Sequence, residues 1–92
     1  MNFEWYEPKR RENLRKHGLD FKDAWRIFDG PFLAHEDTRE EYGESRWQGT
    51  GLLNDRVVVV VFTERKQDTI RLISLRKANR NETSEFEKAL RD

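Results

Sequence analysis

The side chains best suited to chemistry in this sequence are one histidine and a set of scattered cations: His17, Arg46, Arg65, Arg71, Arg76 and Lys77. Guanidinium groups grip phosphates through paired hydrogen bonds, and imidazole moves protons near neutral pH. Together they suit the breaking of a phosphodiester beside a 2′-hydroxyl. A base removes the hydroxyl proton, an acid protonates the leaving oxygen, and cations hold the charge that builds on phosphorus. That reaction needs no metal. His17 also has a plainer use, since a cation in the last turn of a helix helps to close it.

Other chemistries find less support. The chain has no cysteine, so thiolate nucleophiles, disulfides and Cys-ligated zinc are excluded. His17 and His35 lie far apart, and the acidic stretch lacks the glycine-hinged spacing of a calcium loop; no metal site and no cofactor are expected. Gly49-Thr50-Gly51 falls inside a predicted strand with no helix after it, so it reads as a bulge or a close backbone approach rather than a phosphate loop. Ser45, Ser74 and Ser84 lack a nucleophile-elbow setting.

The elements that position these groups come from a chain of 92 residues, which is room for a single domain, 1–92. Charged residues (39%) outnumber hydrophobic ones (35%), but three Trp, six Phe and two Tyr can build a small core. A core that small leaves a thin margin, so a partner that covers apolar surface is expected. No apolar run is long enough for a membrane helix and the start does not read as a signal peptide, which suggests a soluble cytoplasmic protein without membrane contact. Eighteen basic and eighteen acidic side chains cancel, which argues against wrapping nucleic acid by bulk charge. The charges are segregated, however. Glu36, Asp37, Glu40, Glu41 and Glu44 face only Arg39 in one stretch, while Arg65, Lys66, Arg71, Arg76, Lys77 and Arg80 face only Glu64 and Asp68 in another.

Periodicity predicts a short edge strand at Phe3 and Trp5, then a helix from Pro8 to His17 stopped by Gly18. Asp20 caps a second helix with Phe21, Ala24, Trp25 and Phe28 on one face. Strands are predicted at Phe32 to Thr38, Arg46 to Leu53, Arg56 to Phe62 and Thr69 to Arg76, with Asn54-Asp55 as a tight hairpin turn. The β-branched run Val57 to Val61 marks a central strand, and Asn79 with Glu82 opens a closing helix as a capping box. The whole reads as an α+β domain: a small antiparallel sheet with two N-terminal helices and one C-terminal helix packed on it. Alternation along a regular Thr69–Arg76 strand puts Arg71 and Arg76 on opposite faces unless a bulge intervenes.

Several ordered blocks also resemble a known family. Phe3-Glu4-Trp5 with Pro8-Lys9, then Asn13-Leu14-Arg15-Lys16-His17-Gly18, Glu44-Ser45-Arg46-Trp47, Thr63-Glu64-Arg65 and Ile70 through Arg76-Lys77-Ala78 are similar to the BrnT toxins of bacterial type II toxin-antitoxin systems. The resemblance spans nearly the whole chain. It implies a RelE/ParE-like fold and a metal-independent ribonuclease that stops translation. It also implies a cognate BrnA-like, DNA-binding antitoxin as partner, with RNA as substrate and DNA reached only through the antitoxin. Carried over by position, it implies His17 as proton carrier and Arg46, Arg65 and Arg76 as binders of phosphate and transition state. Glu44 would be the base or the residue that orients Arg46, and Lys16, Arg71 and Lys77 would contact RNA. The alternative is an inactive toxin-like module that holds the antitoxin and tunes repression.

Overall fold

The computed structural model describes residues 1–92, with strands β1 (Asn2–Glu4), β2 (Phe32–Glu36), β3 (Trp47–Leu53), β4 (Arg56–Arg65) and β5 (Thr69–Lys77). Helices α1 (Glu7–His17), α2 (Trp25–Phe28) and α3 (Arg80–Arg91) complete it, with a 3-10 turn at Phe21–Asp23. The strands form one sheet in the order β1-β5-β4-β3-β2. Neighbours β2, β3, β4 and β5 run antiparallel, joined in part by turns whose residues adopt left-handed φ: Asn54 and Asp55 at 51° and 64°, Gln67 and Asp68 at 63° and 56°. β1, however, lies parallel to β5, with Phe3 beside Ile70. The expected antiparallel sheet is therefore a mixed one. No tight turn dictates the direction of β1, because most of the chain separates it from β5, and the parallel register packs Phe3 beside Ile70 against the core.

One face of the sheet carries the main core. Val58, Val60 and Phe62 of the central strand meet Ile70, Leu72 and Leu75 of β5 and Phe21, Ala24 and Ile27 from the helical segment, all buried. Phe28 adds an aromatic cluster, with ring centroids 4.7 Å from Phe32 and 5.1 Å from Phe62. The predicted second helix is a 3-10 turn followed by four α residues, capped by Asp20, which accepts a hydrogen bond from the Lys22 amide. That change of pitch moves the apolar face, so Ile27 is buried whereas Trp25 is left half exposed. Gly49 and Gly51 mark a close approach: a Cβ on Gly51 would lie 2.7 Å from Ile27 Cγ2, and one on Gly49 would strike the Phe32 ring.

α1 lies along the edge of β5 beyond its short pairing with β1. Its buried Asn13 completes that edge: Nδ2 donates to the Leu75 carbonyl at 2.8 Å, and Oδ1 accepts from the Leu75 amide at 3.0 Å. The same Nδ2 donates to the Leu19 carbonyl at 3.1 Å. Gly18, at φ 70°, ends the helix by donating its amide to Leu14.

The β4–β5 ladder shifts register at Val61/Phe62. Val61 pairs with Ser74 but Phe62 pairs with Leu72, leaving Ile73 unpaired as a bulge. Residues paired across strands share a face. Leu72 and Leu75 therefore both enter the core, while Arg71 (opposite Thr63) and Arg76 (opposite Val59) emerge together on the other face. The separation expected of a regular strand does not occur. α3 crosses part of this second face, touching β3, with Phe86 buried and its Asn79–Glu82 capping box formed in both directions.

Candidate functional site

The second sheet face collects most of the chemical groups. The pairings lay out rows across the sheet: Leu33, Thr50, Val59 and Arg76 in one, His35, Gln48, Val61 and Ser74 in the next. One residue beyond the Trp47–Phe62 pair come Arg46, just before β3, and Thr63 on β4, which pairs with Arg71. Arg65 follows at the end of β4, opposite Thr69.

Each arginine on this face has a defined neighbour. The Arg76 guanidinium meets Glu82 of α3 through two hydrogen bonds of 2.9 Å, and its Nη1 also donates to the Lys77 carbonyl at 3.2 Å. The bond to Arg76 holds the Glu82 carboxyl below its ordinary pKa and raises that of Arg76. Arg71 pairs with Glu4 at 2.8 Å across β1. Arg65 approaches Glu44 at 3.6 Å. Arg46 turns to Tyr42 instead, its guanidinium carbon 4.0 Å from the ring centroid, a cation–π contact.

A loop that runs from Asp37 to Arg46 borders the face, closed by the Asp37 amide donating to the Arg46 carbonyl at 2.8 Å. Arg39 clamps the buried Asp37 with bonds of 2.8 and 2.7 Å. These bonds, chiefly, lower the Asp37 pKa to about 2. A depressed carboxylate stabilises the fold above its unfolded pKa, about 4, and that contribution fades as pH falls toward 2. Glu36, Glu40, Glu41 and Glu44 line the concave side of this loop, and no group of three or more His, Cys, Asp or Glu side chains is arranged to hold a metal ion.

The structure thus brings Arg46, Arg65, Arg71 and Arg76 together on one face, with Glu44 at its rim. His17 and Lys16 sit elsewhere, at the end of α1, in a shallow cleft of about 170 Å³ with Lys9, Glu12, Asn13 and the bulge residue Ile73. No hydrogen bond or ion pair joins His17 to the arginines. Lys77 pairs with Val58 and so belongs to the opposite face, the one that carries the main core. The sequence reading gave no role on this face to His35, Tyr42, Thr63 or Glu82. His35 Nε2 lies 3.1 Å from Gln48 Oε1. Period two along β2 groups His35 with Leu33, but only the pairing of β2 with β3 sets it beside Gln48.

Comparison with known proteins identifies the family. The model of the family described as ribonuclease toxin, BrnT, of type II toxin-antitoxin systems matches residues 5–82. The chain belongs to the BrnT family. The crystal structure of the Brucella abortus ribonuclease toxin BrnT is similar, with 29% identity and a TM-score of 0.71, covering 87% of this chain and 99% of that one. No curated protein matches. The chain is thus a BrnT ribonuclease toxin with an antitoxin as its partner. The matched stretch contains every arginine of the face as well as Glu82. No helix of this BrnT protein is long and apolar enough to cross a membrane.

Proposed function

We propose that this BrnT chain, acting as a single RelE/ParE-like domain over residues 1–92, cleaves RNA without a metal on the arginine-bearing sheet face and so stops translation. The observation that carries the reading is the β5 bulge, which joins Arg71 and Arg76 to Arg46 and Arg65. A guanidinium binds a phosphate through two parallel hydrogen bonds, and several aimed at one phosphorus stabilise the negative charge of the transition state. In the reaction the 2′-oxygen attacks phosphorus as its proton passes to a base. The bond to the 5′-oxygen then breaks as an acid supplies that oxygen with a proton. Arg46, Arg65 and Arg76, spaced along the face, bind phosphates of the RNA, and Glu44 at the rim is the candidate base.

His17 is the proton carrier in the first reading, reaching the substrate from its cleft with Lys16 beside the β5 bulge. A second reading gives that role to His35, because it stands on the arginine face itself. With Gln48 Oε1 accepting from Nε2, Nδ1 is the ring nitrogen left to hand the leaving 5′-oxygen its proton, while Glu44 remains the base. The partner is a BrnA-like DNA-binding antitoxin in the cytoplasm, which contacts DNA on the toxin's behalf; a net charge of zero fits that division of labour.

Purified His17→Ala and His35→Ala proteins, assayed on RNA in EDTA, decide between the two readings. Removal of a general acid or base lowers the rate by about 100- to 10,000-fold. Loss in His17→Ala alone supports the first reading and loss in His35→Ala alone the second. Full cleavage by both rejects a histidine proton carrier, and no cleavage by the unmutated chain in EDTA rejects the metal-free reaction.

A further inference from the structure

We propose that Tyr42, Arg46 and Thr63 form a nucleotide subsite, in which the Thr63 hydroxyl and the Arg46 Nε–H share one RNA phosphate and Tyr42 stacks the adjoining base. This deepens the reading above and rests on it for the identity of the face. Thr63 is 1% exposed, yet its hydroxyl has no hydrogen-bond partner; Arg46 Nε is also buried and unpartnered. Buried polar atoms are normally satisfied, because leaving one bare is costly. Both follow directly on the Trp47–Phe62 pair, Arg46 just before β3 begins and Thr63 on β4, with Arg71 flanking Thr63 on β5. A hydroxyl between two arginine stems is well placed for a phosphate oxygen. Nothing in the packing calls for it, since valine fits the same strand at Val57 through Val61.

Tyr42 closes the Arg46 side of this pair. Its ring covers the Arg46 guanidinium, while its hydroxyl sits by the Asp37–Arg39 pair and donates to Asp37 at 3.5 Å, the limit of a hydrogen bond. Rotation of this loop side chain opens the guanidinium edge to a phosphate and turns the ring toward the neighbouring base. Splayed RNA bases stack on such aromatic and guanidinium planes.

The test measures RNA cleavage in EDTA and thermal melting for Thr63→Val, Thr63→Ser and Tyr42→Leu, beside Arg76→Ala. Thr63→Val should melt at or above the unmutated temperature while KM rises about tenfold and kcat stays within about twofold, as expected for one lost hydrogen bond to a charged group. Thr63→Ser should restore KM. Tyr42→Leu, on the loop and so safe to fold, should raise KM by about five- to tenfold through lost stacking. An unmutated KM in Thr63→Val, or a failure of serine to rescue it, overturns the phosphate seat. An unmutated KM in Tyr42→Leu overturns the stacking. If either happens while Arg76→Ala still loses cleavage, only the subsite falls; if Arg76→Ala cleaves normally, the reading of the whole face falls with it.

Discussion

Arg76→Ala is expected to lower RNA cleavage by about 100- to 1000-fold, the usual effect of removing one preorganised donor from a transition state. The argument rests on how Glu82 uses the guanidinium. Glu82 takes one hydrogen from each terminal nitrogen, and the Lys77 carbonyl takes the second from Nη1. The Nε–H and one Nη2–H remain, and they form a fork of their own for two phosphate oxygens. α3 thus fixes the plane of Arg76 while leaving its working edge free. Arg76→Lys should recover little, because a point charge lacks the fork. The folded state should survive, since both partners of the ion pair are partly exposed and such pairs contribute about 1 kcal/mol or less. Matched melting curves with undiminished cleavage by Arg76→Ala would refute this role.

The largest effect on stability is expected from Asn13→Ala. The change strips partners from the Leu75 amide, the Leu75 carbonyl and the Leu19 carbonyl at a site where Asn13 itself is 7% exposed. Each buried group left bare costs about 1–3 kcal/mol, so a total loss of about 3–5 kcal/mol is expected. For a domain of this size that lowers the melting temperature by about 15 °C or more. Asn13→Asp should be no better, because it replaces the donor to Leu75 with a second acceptor. A fall of under about 3 °C in calorimetry would show that water or a shifted α1 satisfies the strand edge. If His17 carries the proton, Asn13→Ala should also lower cleavage at temperatures where the variant is fully folded, because α1 loses its anchor to β5.

Much of the fold was legible because its signals are local. Gly18 at the end of α1, Asn79 and Glu82 at the start of α3 and Asn54-Asp55 between β3 and β4 each act within a few residues, and each does in the structure what the sequence predicts. The unbroken valine run does lie at the centre of the sheet. What was not legible depends on contacts distant in sequence. The parallel direction of β1 is set by where Phe3 can be buried. The bulge at Ile73 arises because Leu72 and Leu75 must both reach the core, although a regular strand would place them on opposite faces. That one residue changes the candidate site, joining Arg71 to Arg76 and leaving Lys77 on the far side. Trp25 was assigned to the buried face, but the 3-10 turn before it gives that place to Ile27. The arginines were visible as a set from their types alone, whereas His35, Tyr42 and Thr63 became candidates only through the neighbours that the pairing gives them.

The central claim is that RNA binds on the sheet face of Arg46, Thr63, Arg71 and Arg76. Its most direct test is NMR mapping of the isotope-labelled chain titrated with a short RNA whose 2′-hydroxyls are methylated, so that it binds without being cut. Shifts concentrated at Tyr42, Arg46, Thr63, Arg71, Ser74 and Arg76, with Lys77 and Trp25 unmoved, are the predicted result. Shifts confined to the opposite face around Ala24, Trp25 and Lys77 would contradict it.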